Sequence, residues 1–380
     1  MDILEILKSL LRSFQHPDLL KMLVMVVIGL VLIYLAIGKN MEPALLLPMG
    51  FGAILVNLPF TGVIGTEMES TGIIQWLFEV GIEASEALPL LLFIGIGAMI
   101  DFGPLLTNPK LLFFGAAAQV GIFLTLILSS LWFELPDMAA ISIIGAADGP
   151  TAILVAIKLG SEKLPAIMVA AYSYMALVPI IQPRVIKLCT TKNERKIRME
   201  YNPKSVSKLT KILFPIIVTV VAGLIAPASV ALVGFLMFGN LIRECTVLDS
   251  LSETASKVLA NLVTLLLGIT IAFQMTADKF LQPDTLIIMG LGLFAFVGDT
   301  AIGVLFAKLI NLFSKKKVNP MIGAAGISAF PMSARVVQKM GLEADPENHL
   351  LMHAIGANVS GQVASVIAGG VLLSIVQSLI

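Results

Sequence analysis

The sequence has little charge. Only 13% of its 380 residues are Asp, Glu, Lys or Arg, whereas soluble domains carry about 25%. Its 25 basic and 25 acidic residues cancel, so there is no charge excess to attract nucleic acid or a strongly basic partner. The chain is therefore too apolar for a soluble domain, and we expect no nucleic-acid partner.

Cysteine is nearly absent as well. The two cysteines, Cys189 and Cys245, both lie beside stretches that carry Lys and Arg. Such positions indicate a reducing cytoplasmic side, so we expect free thiols and no disulfide. A phosphate-binding G-x-x-x-x-G-K-[ST] loop is missing too, which argues against ATP as the energy source.

Apolar residues dominate instead. They make up 57% of the chain, and the mean hydropathy is +0.96. We count about ten or eleven hydrophobic segments, including broken ones, that are long enough or nearly so to cross about 30 Å of hydrocarbon. Two of them could be re-entrant hairpins. The fold class we expect is an all-α polytopic membrane protein.

Basic residues predict the orientation and the division of the chain. Nine of the 25 fall between residues 182 and 211, which indicates a basic cytoplasmic loop. This loop separates a first membrane half, 21–181, from a second, 212–380. Residues 1–20 place apolar side chains at helical spacing opposite Glu5, Lys8 and Arg12. That pattern favours an amphipathic interfacial helix over a signal peptide, with a solvated leader as the alternative.

The two halves share a short motif. GAADGPTA, at Gly145–Ala152, matches GAAGISAF, at Gly323–Phe330, in the corresponding place of the other half. Two related repeats, each with a broken or re-entrant helix, are typical of transporters whose sites lie at the repeat interface. If both broken segments are re-entrant, the repeats are inverted. Chance similarity among Gly- and Ala-rich helices is the alternative.

Asp148 is the main candidate ligand in the first half. Gly149 and Pro150 follow it and must interrupt the helix, because proline lacks an amide donor and glycine loosens the backbone. The break frees carbonyl oxygens beside a carboxylate and the Thr151 hydroxyl, which are ligands that a hard cation such as Na⁺ needs. An N-cap role for Asp148 is compatible with this prediction.

The second half offers polar groups at similar breaks. Ser328 precedes Phe330-Pro331 and Arg335 follows it, while GANVSGQ, Gly356–Gln362, supplies Asn358 in a segment that we also expect to be broken. Arginine suits a carboxylate or carbamate, although Arg335 could instead anchor the interface. Asp299 and His353 are further ionisable groups within apolar segments. His349 and His353 have metal-ligand spacing, but a third ligand is not evident.

Three stretches carry a family resemblance: GAADGPTAI, NPMIGAAGISAFPMSARVVQK and LLMHAIGANVSGQVAS. They resemble signature sequences of the β subunit of biotin-dependent, sodium-pumping decarboxylases, which include the oxaloacetate, methylmalonyl-CoA and glutaconyl-CoA enzymes. The resemblance extends over nearly the whole chain. It implies a subunit of the bacterial cytoplasmic membrane that decarboxylates carboxybiotin and exports Na⁺ while consuming a proton.

The resemblance also implies roles for single residues and partners. Asp148, Ser328 and Asn358 would bind Na⁺, and Tyr174 would act in sodium and proton passage. Arg335, Asn319 and Gly323 would act in coupling or in handling carboxybiotin. Tyr172 lies two residues from Tyr174, and the sequence does not decide between the two tyrosines. The expected partners are a biotin carrier, a carboxyltransferase α subunit, a small membrane γ/δ subunit and further copies of this chain, which lacks an MKM-type biotin-attachment sequence.

Two other functions stay open from the sequence. A sodium-coupled secondary transporter of a carboxylate solute could use the same broken helices, sodium site and Arg335. A non-catalytic membrane scaffold for a larger complex would bind partners and would tolerate loss of Asp148.

Overall fold

Helices are the regular elements of this computed structural model, which describes residues 16–65, 71–84, 86–200 and 206–380, and no strand occurs in those ranges. The prediction of an all-α fold is confirmed. The predicted helix at 1–20 lies largely outside the described residues. The helices, in chain order, are α1 Leu19–Lys39, α2 Pro43–Val56, α3 Ile73–Phe78, α4 Ala87–Met99, α5 Gly103–Thr107, α6 Leu112–Ala118, α7 Val120–Ser129, α8 Leu135–Ser142, α9 Gly149–Lys158, α10 Leu164–Cys189, α11 Lys192–Arg195, α12 Lys208–Ile225, α13 Val230–Glu244, α14 Asp249–Glu253, α15 Ala260–Ile271, α16 Ala277–Phe280, α17 Pro283–Phe313, α18 Met321–Ala324, α19 Met332–Ala344 and α20 Leu351–Leu379.

Seven helical stretches in the described ranges are long and apolar enough to cross a membrane. The bent pair Ile73–Glu83 and Ala87–Met99 would add an eighth. The seven are Leu19–Lys39, Pro109–Ser129, Leu164–Cys189, Lys208–Ile225, Asp249–Met275, Pro283–Phe313 and Leu351–Leu379. Other apolar segments form shorter helices, such as α13 with 15 residues, which spans only about 22 Å at 1.5 Å per residue. The structure thus supports a multi-pass membrane protein without confirming ten or eleven segments.

One compact unit consists of the described residues within 1–89 together with residues 261–286. Its helices α1 and α2 cross at two glycines, since a Cβ atom at Gly29 would lie 2.6 Å from the carbonyl oxygen of Gly50. Close backbone approach of this kind is how small residues pack membrane helices. The Asn57 amide ties α2 to the later part of the unit, because Nδ2 donates to the Met275 carbonyl at 2.8 Å and Oδ1 accepts from the Ala277 amide at 2.8 Å.

The second unit consists of residues 90–260 and 287–380 and contains the interrupted helices. Helix α13 packs on α4 through Gly97 and Gly239, where an added Cβ would lie 1.9 Å and 2.0 Å from a facing carbonyl oxygen. The Asn240 side chain donates to the Ile100 carbonyl at 2.9 Å and satisfies the end of α4. The hydrophobic effect contributes little to association between helices in lipid. Close helix packing and hydrogen bonds from buried amide side chains therefore hold these helices together.

Two sequence predictions need correction, one about a helix break and one about the length of a loop. The predicted break at Gly356–Gln362 does not occur, because α20 runs through it without interruption. Its glycines serve packing instead: a Cβ at Gly361 would lie 2.0 Å from the Gly326 carbonyl oxygen. Part of the predicted loop at 182–211 is also helical, since α10 extends to Cys189 and α12 begins at Lys208. The end of α10 stays helical because Val185 and Ile186 are buried.

Residues 190–200 form a strap across the second half. Within it, Arg198 binds Asp345 through two hydrogen bonds of 2.6 Å and 2.9 Å and Glu347 through one of 2.5 Å. The Arg195 carbonyl accepts from the Asn319 and Asn348 side chains, each at 3.0 Å. The strap is thus held by one exposed ion-pair cluster and by hydrogen bonds from the buried side-chain amides of Asn319 and Asn348.

The ion-pair cluster predicts how the strap responds to pH. Hydrogen bonds from Arg198 lower the pKa of Asp345 below its ordinary value, which is about 3.9. Asp345 therefore stabilises the strap fully above that value, and this contribution is lost as the pH falls through the lowered pKa.

We expect Arg198→Gln to lower the hydrogen-exchange protection of residues 192–200 at neutral pH. We expect acid to lower it in the unchanged protein too, once exchange is corrected for its intrinsic dependence on pH. Mass spectrometry of exchanged peptides measures this. Lys257→Gln, which removes a separate exposed ion pair with Glu253, is the matched control and should leave the strap unchanged. Equal exchange in Arg198→Gln and wild type would show that the cluster does not hold the strap.

Candidate cation site

The helix break before α9 places Asp148. A 3₁₀ turn at Ile143–Ala146 ends where Ala147 adopts a left-handed conformation, with φ of 55°. For a residue other than glycine this conformation costs about 1–2 kcal/mol. Asp148 then caps α9, because its Oδ1 accepts from the Thr151 amide at 3.4 Å. The predicted interruption and the predicted N-cap role are therefore both present.

Polar side chains converge on the Asp148 carboxylate from two helices. The Thr151 hydroxyl of α9 and the Ser365 hydroxyl of α20 each donate to Oδ2 at 2.8 Å, and Gln362 Nε2 lies 3.4 Å from the same oxygen. Sequence reasoning missed Ser365. The signal was a polar stripe on α20, because Asn358, Gln362 and Ser365 are spaced four and three residues apart and so share one helix face.

Asp148 is buried without a compensating cation. Its side chain is 4% exposed, and in the described ranges its favourable partners are hydroxyl and amide donors and not Lys, Arg or His. A buried charge without a counter-charge is strongly unfavourable. A dehydrated alkali cation among these oxygens would remove that penalty, and carboxylate, hydroxyl and amide oxygens are suitable hard ligands.

Asn358 lies one turn before Gln362 on α20 and is fully buried. Its Nδ2 donates to the Ile327 carbonyl at 2.7 Å, while its Oδ1 has no hydrogen-bond partner among the residues that the structure describes. An amide oxygen without a donor is an available ligand. Asn358 therefore fits the sequence prediction of an oxygen donor on this helix.

Ser328 joins the two interrupted segments. Its amide and its hydroxyl both donate to the Ala146 carbonyl, at 3.0 Å and 2.6 Å. Ala146 lies two residues before Asp148, so the second break touches the first directly beside the candidate ligand. The predicted meeting of the two breaks is observed, although the Ser328 hydroxyl is engaged with a backbone carbonyl and not with Asp148.

The two tyrosines of α10 face different neighbours. Tyr172 packs its ring against Gly149, where an added Cβ would lie 2.7 Å from the ring, and it interacts electrostatically with Asp148. Its hydroxyl has no hydrogen-bond partner in the described ranges. The Tyr174 hydroxyl instead donates to the Met289 carbonyl of α17. Residues two positions apart lie about 200° apart around a helix, so only Tyr172 belongs to the Asp148 group.

Three predicted residues lie away from the Asp148 group. Arg335 is exposed in the first turn of α19. The buried Asn319 side chain uses Nδ2 to hold the Arg195 and Ile197 carbonyls of the strap, at 3.0 Å and 2.8 Å. Gly323 packs against Gly303, since a Cβ atom added at Gly323 would lie 1.9 Å from the carbonyl oxygen of Gly303. In the structure, Asn319 therefore holds the strap and Gly323 allows close packing against α17.

A buried network that sequence reasoning missed supports the second break. Gln182 of α10 donates from Nε2 to the Ala324 carbonyl at 2.8 Å, and its Oε1 accepts from the Ser333 hydroxyl at 3.0 Å. These bonds satisfy the end of α18 where the backbone leaves the helix. The available signal in the sequence was a glutamine directly after the apolar run Ala176–Ile181.

Comparison with known proteins gives consistent results. A family model described as the Na⁺-transporting oxaloacetate decarboxylase beta subunit matches residues 21–376. The oxaloacetate decarboxylase beta chain of Haemophilus ducreyi (strain 35000HP / ATCC 700724) is 43% identical over 98% of this chain and 100% of its own length. The methylmalonyl-CoA decarboxylase subunit beta of Propionigenium modestum is 47% identical over 93% of this chain and 94% of its own.

A third relative has a different acyl substrate in its name. The glutaconyl-CoA decarboxylase subunit beta of Acidaminococcus fermentans (strain ATCC 25085 / DSM 20731 / CCUG 9996 / CIP 106432 / VR4) is 48% identical over 93% of this chain and 92% of its own. These matches cover nearly all of both chains, and the helical membrane architecture agrees with them. The chain belongs to the beta-subunit family of the Na⁺-transporting oxaloacetate decarboxylases.

Proposed function

We propose that this chain is the membrane subunit that decarboxylates carboxybiotin, delivered by a partner subunit, and couples this reaction to Na⁺ export with consumption of a proton. The observation that carries the proposal is the buried Asp148 carboxylate, surrounded by hydroxyl and amide groups at a helix break. Membership in a sodium-transporting decarboxylase family supports the same function. A carboxylate-solute transporter is not favoured by these relatives.

The proposed Na⁺ ligands come from both halves of the chain. Asp148 supplies the charge, Thr151 a hydroxyl, and Asn358 an amide oxygen that has no donor among the described residues. Ser365 lies close enough to add a further oxygen. Ser328 would act mainly through the Ala146 carbonyl, which it holds beside the site. Because these ligands come from α9 and α20, movement of one helix relative to the other would open the site.

The chemical step requires a proton. Carboxybiotin carries a carbamate, and breaking its N–CO₂ bond releases CO₂ and leaves the electron pair on the ureido nitrogen, which must then be protonated. Arg335, exposed at the start of α19, is suited to binding the carbamate carboxylate. We assign Tyr174 to proton passage. Tyr172 lies where Na⁺ at Asp148 would change its electrostatic environment most directly.

The finer architecture is part of the proposal. We propose ten or eleven hydrophobic segments arranged as two inverted repeats. The Ser328 to Ala146 hydrogen bonds support only the part of this proposal that brings the two breaks together. The proposed partners are a biotin carrier, a carboxyltransferase α subunit, a small γ/δ subunit and further copies of this chain. The relatives are named for different acyl substrates, which is consistent with substrate choice in another subunit. We place the chain in the bacterial cytoplasmic membrane.

We expect Asp148→Asn to abolish Na⁺-stimulated carboxybiotin decarboxylation and ²²Na⁺ uptake by the reconstituted complex. Removing the charged partner of a buried ion costs about 3–5 kcal/mol, so Na⁺ affinity should fall by about 150- to 5,000-fold. The exposed Asp249 gives the control variant Asp249→Asn, which should retain both activities. Full activity in an Asp148→Asn complex that assembles normally would refute the proposed site.

The two tyrosines should have separable effects. We expect Tyr174→Phe to lower the maximal rate by about 10²- to 10⁴-fold with little change in the Na⁺ concentration needed for half-saturation. Tyr172→Phe should mainly raise that concentration, by up to about tenfold, since one neutral hydroxyl is worth about 1 kcal/mol. Steady-state decarboxylation at varied Na⁺ distinguishes them. The reverse pattern would assign proton passage to Tyr172.

A further inference from the structure

A second buried carboxyl group lies outside the Asp148 site. Asp299 is in the middle of α17, and its side chain has no solvent exposure. Neither of its carboxyl oxygens accepts a side-chain hydrogen bond among the described residues, although the Gly121 backbone amide interacts favourably with the group. An ionised carboxylate in such a place would be strongly unfavourable, so this group requires a chemical explanation.

Two glycines enclose the Asp299 carboxyl group. A Cβ atom at Gly121, in the first turn of α7, would lie 1.8 Å from Oδ1, and one at Gly145, in the 3₁₀ turn before Asp148, would lie 2.7 Å from Oδ2. The backbones of two segments therefore lie directly against the two oxygens. Packing this close leaves little space beside the group for a cation with its own shell of oxygen ligands.

In the described ranges, the segments that lie against Asp299 carry no neutralising charge. Helices α6 and α7 and the turn Ile143–Ala146 contain no titratable side chain. On α17 itself, Asp284 and Lys308 are 15 and 9 residues away, which is about 22 Å and 14 Å along the axis. Helix α10 contributes Tyr174, whose ring packs against Gly292 and whose hydroxyl is engaged with the Met289 carbonyl. Asp148 follows Gly145 by three residues.

Comparison of the two buried carboxyl groups indicates their different ligands. Asp148 accepts from two hydroxyl groups at 2.8 Å, and such donors stabilise the anionic form. At Asp299 the Gly121 backbone amide provides a favourable interaction, but the side-chain donors that surround Asp148 have no counterpart in the described ranges. In this environment the neutral carboxylic acid has a much smaller desolvation penalty than the anion.

We propose that Asp299 is a proton-binding site, distinct from the sodium site at Asp148, and that it is a neutral carboxylic acid in the conformation described. Binding adds one proton to one carboxylate oxygen and removes one negative charge from the apolar interior. The site is selective for a proton because the carboxyl group is enclosed by backbone and lacks the ligand set that Na⁺ needs.

The position of Asp299 connects it to the first helix break. Gly145 lies against the carboxyl group and precedes Asp148 by three residues on the same interrupted segment. Ionising Asp299 would require this packing to open so that water or donors could reach the charge. If the proposed function is correct, Asp299 is a place for the proton that the decarboxylation consumes; its protonation itself does not depend on that function.

Infrared spectroscopy can test this site without any transport assay. Asp148 and Asp299 are the buried aspartates among the described residues. The purified full-length chain carrying Asp148→Asn, labelled with carboxyl-¹³C aspartate, therefore retains one buried aspartate there. We expect the ¹³C-shifted C=O band of a protonated carboxylic acid to persist at neutral pH, where exposed aspartates are ionised, and not to change when Na⁺ is added.

Matched variants assign the band. Adding Asp299→Asn to the labelled protein should remove it, whereas adding Asp249→Asn should leave it unchanged. Absence of a protonated-aspartate band at neutral pH in the Asp148→Asn protein would overturn the proposal, and so would loss of the band on adding Na⁺. If the Asp299→Asn protein does not fold, the labelled Asp148→Asn protein alone decides between these outcomes. None of these results depends on decarboxylation or Na⁺ uptake, so failure of the proposed function would be detected separately.

Discussion

A carboxylate held inside the protein at a broken helix is the constraint on which the rest of this structure depends. Asp148 cannot remain charged there without hydrogen-bond donors or a cation, because the interior gives a charge almost no solvation. Thr151 meets part of this need from the next turn, and Ser365 meets part of it from α20. The break, the polar stripe on α20 and the small residues that allow close packing therefore serve one electrostatic requirement.

Glycine has two different uses in this chain. At Gly149 it permits the break and leaves space for the Tyr172 ring, whereas at Gly361 it brings α20 against the backbone near Gly326 without interrupting the helix. Both uses produce the same glycine-rich sequence pattern. A carboxylate and a proline flank Gly149 at the interruption, whereas neither stands beside Gly361.

The proposed coupling between Na⁺ binding at Asp148 and proton binding at Asp299 depends on one short segment that both sites contact. Ser328 of the second break holds the Ala146 carbonyl of the first, and Asp299 packs against Gly145 in the same short turn. A change of charge at either carboxyl group therefore acts on the same few residues, 143–148. Coupling between ion binding and proton chemistry needs such a shared element, since two sites can influence each other only through a structure that both of them bias.

Local sequence patterns were enough to predict the all-α membrane class, the family and the break at Asp148. Long apolar runs can cross a bilayer only as helices or closed barrels, and the Asp-Gly-Pro triplet disrupts helical hydrogen bonding through its own chemistry. Tertiary structure decided which side chains meet. Tyr172 and not Tyr174 faces Asp148, Ser365 joins the site from a helix more than two hundred residues later, and Gly356–Gln362 stays helical. These outcomes depend on helix rotation and on backbone contacts between distant segments, which local sequence patterns do not specify.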